Sequence, residues 1–230
     1  MLAPCPEPTT LPVAGAATCF GVRRVYCVGR NYVEHIREMK EGDERDPPFF
    51  FQKPSDSILR EGSEVPYPPS TDDFQHEIEL VVAIGRGGSN ISADQSLEHV
   101  FGYAIGIDMT RRDRQREARE RGLPWEIGKS FDRSAPCGPI HPAEKVGHIG
   151  SGAISLSVNG AVRQRGDLGQ MIWNVAEIVA NLSQQYTLVP GDLIFTGTPA
   201  GVGPVVPGDC MTGVIAGLGE ISFKIGERSV

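Results

Sequence analysis

The sequence has no stretch approaching the ~18 uninterrupted apolar residues that a membrane-spanning helix requires, so nothing in it argues for a bilayer span. Its cysteines are few: Cys5, Cys19, Cys27, Cys137 and Cys210 are odd in number, far apart and form no C-x-x-C pair. That excludes a disulfide framework or a zinc ribbon and suits a reducing cytoplasm. An excess of positive charge is missing too. A net charge of −7 and a pI near 5.3 argue against general binding to nucleic acid or an anionic membrane, although a metal ion or local arginines can reverse the field inside a cleft. The first twenty residues hold no basic residue ahead of an apolar core, and prolines at 4, 6, 8 and 12 break any helix there. They read as a loosely held extension and not as a secretion signal.

What the chain has in quantity is glycine, 28 residues, and proline, 18, a composition of short strands and tight turns rather than long helices. All-β architectures of 230 residues are often built on one core. The expected organisation is therefore an N-terminal extension over residues 1–20 and a single domain over 21–230. Asn159-Gly160 between alternating segments predicts a hairpin. Ile172, Val175, Ile178, Val179 and Leu182 predict an amphipathic helix within 170–186. VEHIREM, at 33–39, reads as a short helix, and TRRDRQREARERGLP, at 110–124, as a charged helix with Thr110 as cap. The charged helix has almost no apolar stripe, so any buried contact it makes involves polar side chains such as Arg112 or Gln115. Its six arginines are interspersed with Asp113, Glu117 and Glu120, the pattern of a solvated helix and not of a nucleic-acid surface.

One strand carries an anomaly. In DFQHEIELVVAIG, residues 73–85, Glu77 and Glu79 share a face while Ile78, Leu80 and Val82 take the other. The plain reading makes the acids the solvated side of a half-buried strand. The alternative brings in Asp108, at the end of the apolar strand FGYAIGID: three carboxylates on neighbouring strands form an oxygen-rich site for a hard cation. His35 and Glu38 stand one helical turn apart, the spacing of a surface pair or of a carboxylate-oriented general base. Lys129, set among Trp125, Ile127 and Phe131, is a solvated or a partly buried lysine. TGTPAGVGP, at 196–204, lacks the G-K-[ST] ending of a phosphate loop. It is a strand-connecting turn or a small-residue loop bringing backbone N–H groups and the Thr198 hydroxyl near a substrate carboxylate.

Taken in order, VGRNYVEHIREM, FFFQKPSDSI, HEIELVVAIG, GYAIGIDMTRRDRQ, WEIGKSFDRSAPCGP and GDLIFTGTPAGVGP resemble the motifs of the fumarylacetoacetate hydrolase superfamily over nearly the whole chain after about residue 20. The likeness is strongest to its bacterial members acting on fumarylpyruvate and other acylpyruvates. The resemblance implies a mostly β fold with short helices (α+β), a mixed β-roll or sandwich, commonly a homodimer. It implies Mg²⁺ or Mn²⁺, with Ca²⁺ also compatible, at Glu77, Glu79 and Asp108. It also implies, as catalytic residues, a water-activating His35 and Glu38 on a helix that closes over substrate and Lys129 near the metal as a donor to the oxyanion, and Arg30, Arg112, Gln115 and Thr198 as substrate contacts, with Lys53 in a further motif. The implied reaction is metal-dependent hydrolysis of a 2,4-dioxo acid such as fumarylpyruvate to fumarate and pyruvate, in gentisate-type aromatic breakdown. Oxaloacetate decarboxylation, acylpyruvate hydrolysis of broader specificity or isomerisation of a related 2-oxo diacid is the enzymatic alternative, and a non-catalytic binding protein on the same fold is the alternative of another class.

Overall fold

The computed structural model describes residues 7–39 and 46–228. Its centre is an eight-stranded mixed sheet in the order Phe49–Lys53, Arg24–Gly29, Asp192–Phe195, Ile78–Ile84, Val100–Ile107, Ala135–Cys137 and Ile58–Arg60, with His141–Pro142 also on Val100–Ile107. A five-stranded sheet runs Ala161–Asp167, Ala153–Val158, Cys210–Ile215, Gly219–Arg228, Val65–Tyr67. The expected mostly β sandwich with short helices is what forms; the helix Val175–Gln185 spans only 11 residues.

Alternation decides which side chains fill the space between the sheets. Leu80, Val82, Ile84, Tyr103, Ile105 and Ile107 of the central sheet meet Ile154, Leu156, Met211, Ile215, Ile221 and Phe223 of the smaller one in the main core. The opposite face of the central sheet is also covered: Val25, Cys27, Val81, Ala83, Ala104, Leu193 and Phe195 pack with Leu11 in a second cluster. All seven residues of Ile78–Ile84 are buried in consequence. The half-buried strand of the plain reading is therefore corrected, since Glu77 is 4% and Glu79 2% exposed.

Several local expectations meet their physical limits. Asn159 and Gly160 take φ of 51° and 79° and close the hairpin, as a type I′ turn requires. The amphipathic helix starts at Val175 because Asn174 and Glu177 form a reciprocal capping box, which leaves Ile172 ahead of the helix; Val175, Ile178, Val179 and Leu182 are its buried stripe. Thr110 is not a cap. It pairs in a short strand, Thr110–Arg111, against Phe74–His76, and the helix follows at Arg112–Glu120. Of the expected extension, residues 1–6 lie outside the described residues. Thr10–Pro12 is packed, pairing with Cys19–Gly21 while Leu11 is wholly inaccessible.

Gly106 stands opposite Glu79 in the ladder, where an added Cβ would lie 2.5 Å from Val81 Cγ2 and 2.6 Å from Phe195 Cε1. Gly106→Ala is expected to lower stability by about 1–3 kcal/mol through overpacking. Urea unfolding checks this, and an unchanged midpoint would contradict the packing of this face.

Candidate metal centre and active-site cleft

The two central strands deliver the acids. Ile78 pairs with Ile107, and just beyond that pair the Asp108 N–H donates to the Glu77 carbonyl at 2.8 Å, so the side chains of Glu77, Glu79 and Asp108 converge. One carboxylate oxygen from each lies within 4.8 Å of the others, all three residues being buried. They form the floor of a cleft whose walls include Arg30, His35, Phe51, Arg112, Gln115, Trp125, Lys129 and Thr198.

Buried carboxylates need compensation. Lys129, from the short helix Glu126–Lys129, donates to Glu77 Oε2 at 2.7 Å, Asp108 Oδ2 at 2.9 Å and Thr110 Oγ1 at 2.8 Å. The helix reaches this depth because Gly128 sits against the Gln115 backbone, where a Cβ would fall 2.8 Å from Gln115 N. Burial opposes ionisation of Glu77, but the Lys129 ammonium and the Arg112 guanidinium outweigh it and hold this carboxyl well below the usual range. Arg112 bonds Glu77, Gln115 and, at 2.8 Å, Gln75. Lys53 Nζ lies 2.8 Å from Asp108 Oδ1 but off the hydrogen-bonding direction, and bonds the carbonyls of Met109 and Lys129 instead.

Glu79 is the exception. It accepts the Gly197 N–H at 2.7 Å, and no cation bonds it directly among the described residues. Burial, with Asp108 and Glu77 beside it, pushes its carboxyl well above the usual range. A surplus carboxyl, an Asp108 oxygen without an aligned donor and an all-oxygen donor set fit a hard divalent cation such as Mg²⁺ or Mn²⁺. Burial raises the pKa of the Cys27 thiol, and the group of converging ligand atoms consists of the three carboxylates.

At the mouth, the helix Val33–Met39 presents His35 Nδ1 3.4 Å from Glu38 Oε2. Glu38 also accepts the Gly201 N–H, at 3.1 Å to Oε2. The hydrogen bond with His35, opposed by partial burial and assisted by Gly201, keeps the Glu38 carboxyl below its ordinary value, so it is anionic at neutral pH.

Arg30, His35, Arg112, Gln115, Lys129 and Thr198 thus line one cleft with the three acids, and Glu38 stands behind His35. The fold gathers the residues that the motifs single out, and two of them are bonded differently from what a substrate contact would need. All three ammonium protons of Lys129 are taken by the floor. The Thr198 hydroxyl donates to Ile78 O at 2.7 Å and accepts from Gln164, so its proton is committed to the protein. Sequence reasoning missed Gln164, and it missed Asn31, which is wholly buried and bonds Thr196 O and both backbone polar groups of Trp173. Neither stands in a pattern that spacing could flag.

A mixed-β scaffold with a buried all-carboxylate site for a divalent cation defines the class of this protein. The family model described as fumarylacetoacetate (FAA) hydrolase C-terminal matches residues 24–225, and the chain belongs to the fumarylacetoacetate hydrolase family. It is 47% identical over 178 residues to the fumarylpyruvate hydrolase of Ralstonia sp, covering 77% of this chain and 92% of that protein. It is 40% identical over 203 residues to the mitochondrial oxaloacetate tautomerase of Bos taurus, covering 88% and 91%. The crystal structure of fumarylpyruvate hydrolase from Pseudomonas aeruginosa in complex with Mn²⁺ and pyruvate superposes with a TM-score of 0.95 at 55% identity, covering 97% of this chain and 98% of that one. Among the described residues no helix is long and apolar enough to cross a membrane.

Because Glu79 is repelled by its neighbours, Glu79→Gln is expected to stabilise the metal-free protein by about 0.5–2 kcal/mol while abolishing the rise in Tm that Mn²⁺ gives the wild type. The native carboxyl holds its proton at a pH where the unfolded chain has released it, so its contribution to stability falls as pH rises through that window, and the variant loses this slope. Thermal unfolding with and without Mn²⁺ decides; a destabilised variant that still gains Tm from the ion would contradict this account.

Proposed function

We propose that the chain is a divalent-metal-dependent hydrolase that cleaves the C3–C4 bond of fumarylpyruvate, a 2,4-dioxo acid, to give fumarate and pyruvate. The observation that carries the reading is the placing of a carboxylate-oriented histidine at the mouth of a cleft whose floor is a buried three-carboxylate site. Relatives that hydrolyse fumarylpyruvate, one of them holding Mn²⁺ and pyruvate, support the same assignment.

A divalent cation, which Glu77, Glu79 and Asp108 would hold, would supply Lewis acidity toward the 2-oxo carboxylate of the substrate. His35, held by the anionic Glu38, takes a proton from water as it attacks the C4 carbonyl. The C3–C4 bond then breaks with its electron pair moving to C3, and the imidazolium returns the proton there. Water is thereby added across the bond: the acyl carbon gains the hydroxyl and C3 the hydrogen. Arg112 and Gln115 line the cleft; Gln115 Oε1 is committed to Arg112, which turns the amide NH₂ toward the remaining space as a donor for substrate oxygen. Arg30 at the rim serves the distal carboxylate.

Charge supports a dicarboxylate. Glu77, Glu79 and Asp108 face Lys53, Arg112 and Lys129, three acids against three cations. A divalent cation leaves the site two positive charges in excess, which the two carboxylates of fumarylpyruvate offset. Lys129 then acts by holding Glu77 and Asp108 in place, and Thr198 by holding the loop it belongs to. The reading extends to residues 21–230 as one catalytic domain, to a homodimer, and to a cytoplasmic role in gentisate-type aromatic breakdown. The four cysteines among the described residues are free, as a reducing compartment requires.

Purified protein with Mg²⁺ or Mn²⁺ is expected to release fumarate and pyruvate from fumarylpyruvate and to stop on chelation; no release with either ion would sink the substrate assignment. His35→Ala is expected to keep Mn²⁺ affinity and lose about 10²–10⁴-fold in kcat. Glu77→Ala is expected to lose metal affinity and turnover together, and an oxaloacetate decarboxylation that survives in His35→Ala while hydrolysis does not would separate the two chemistries, the first needing no attacking water.

A further inference from the structure

The strand Ala161–Asp167 is an edge strand of the five-stranded sheet and is largely exposed, yet Gln164 within it is completely inaccessible. A register shift between Leu156 and Ser157 on the pairing strand falls at this point, the kind of irregularity that re-aims a side chain. All four hydrogen-bonding capacities of the Gln164 amide are used. Oε1 accepts from Ile78 N at 3.0 Å and from His76 Nδ1 at 2.9 Å; Nε2 donates to Thr198 Oγ1 at 2.7 Å and to Pro199 O at 2.8 Å.

The orientation of this amide is forced, because the Ile78 N–H only donates and the Pro199 carbonyl only accepts. Two consequences follow. His76 carries its proton on Nδ1, because the Gln164 oxygen only accepts, and its Nε2 is a buried atom with no partner among the described residues. Thr198 accepts from Gln164 and sends its own proton to Ile78 O, so the loop and the metal strand are joined twice at Ile78, between Glu77 and Glu79.

The same loop reaches the other half of the site. Gly197 N–H bonds Glu79, and Gly201 N–H bonds Glu38, the partner of His35. The edge strand seats this loop by close approach: a Cβ on Gly201 would fall 2.2 Å from Arg163 O, and one on Gly166 2.8 Å from Pro199 Cβ. Gly201 also has φ of +94°, which favours glycine.

We propose that Gln164 is a positioning residue that clamps the loop 197–201 to the strand bearing Glu77 and Glu79, and so sets where the His35–Glu38 pair stands over the metal floor. It touches no reacting atom. It acts through Ile78 on the floor side and through Thr198 and Pro199 on the loop side, and only an amide supplies acceptor and donor to the two sides at once. The proposal rests on the hydrolase reading for its kinetic measurement alone, because Mn²⁺ binding is read without substrate.

The test compares Gln164→Met, which keeps the volume and loses every bond, with Gln164→Glu, which keeps the acceptor side and loses the amide donors. Mn²⁺ affinity is measured by electron paramagnetic resonance of the free ion, and kcat and KM on fumarylpyruvate. Gln164→Met is expected to lose about 10- to 100-fold in both Mn²⁺ affinity and kcat. Gln164→Glu is expected to recover Mn²⁺ affinity to within about threefold of wild type while kcat stays at least about tenfold down and KM moves by less than about threefold. A purely structural glutamine would lower Tm in both variants and leave these parameters unmoved in the folded enzyme. Wild-type Mn²⁺ affinity in Gln164→Met, or wild-type kcat in Gln164→Glu, overturns the clamp. Should Gln164→Met fail to fold, the split between Mn²⁺ affinity and kcat in Gln164→Glu decides alone. If the wild type has no hydrolytic activity, the function proposed above falls while the Mn²⁺ comparison still tests the floor side.

Discussion

The ion pair between Lys129 and the carboxylates of Glu77 and Asp108 is the constraint on which the site depends. Charges buried at the end of a central strand cost several kcal/mol each unless they are paired and hydrogen-bonded, and here a single ammonium spends its three protons on Glu77, Asp108 and Thr110. With Arg112 on Glu77 and Lys53 beside Asp108, two of the three acids are paired with cations and fixed in the absence of an ion. Among the described residues the third, Glu79, receives a backbone N–H and no cation, and burial beside Asp108 and Glu77 raises its pKa. A cation site built this way is preorganised: two ligands are held by the protein, and the third supplies the drive for the ion.

Rigidity comes from the sheet. A strand covered on one face alone would let two glutamates swing into water, but Ile78–Ile84 is packed by the main core on one side and, through Val81 and Ala83, by the second cluster with Leu11, Leu193 and Phe195 on the other. The acids therefore continue a buried face instead of forming a solvated one. His35 and Glu38, to which the proposed function assigns proton transfer, sit on a seven-residue helix that is partly exposed. The loop 197–201 is the hydrogen-bonded connection between these two regimes, tied to Glu79 at Gly197 and to Glu38 at Gly201.

Much of this is legible in the sequence, and the parts that are not share a cause. The spacing of Glu77 and Glu79, the end position of Asp108, the turn of helix from His35 to Glu38 and the Asn159-Gly160 hairpin are local patterns, and local patterns survive into the fold. The burial of the glutamate face is not local, because the residues that cover it, Leu11, Cys27 and Phe195, come from three separate segments. Ile172 reads as part of a helix until Asn174 caps the chain behind it, a competition between periodicity and a side-chain hydrogen bond that spacing alone does not resolve. Asn31 and Gln164 carry no signal at all: each is one polar residue whose partners lie far along the chain.

The same distinction separates residues that contact substrate from residues that hold the contact in place. Motif position alone cannot assign a donor its target, since a side chain at the cleft wall with its proton already taken is chemically different from one with a proton to give. Lys129 and Thr198 are of the first kind, and the Gln115 amide, whose oxygen alone is engaged by Arg112, is of the second. The selectivity expected of such a cleft therefore lies less in the floor, whose donors are consumed, than in the wall and rim. There Gln115, Arg30, Phe51 and Trp125 line the cleft, and Phe49 packs against Phe51, Trp125 and Arg30. On the proposed function, the floor takes the 2-oxo carboxylate and the wall decides what is attached to it.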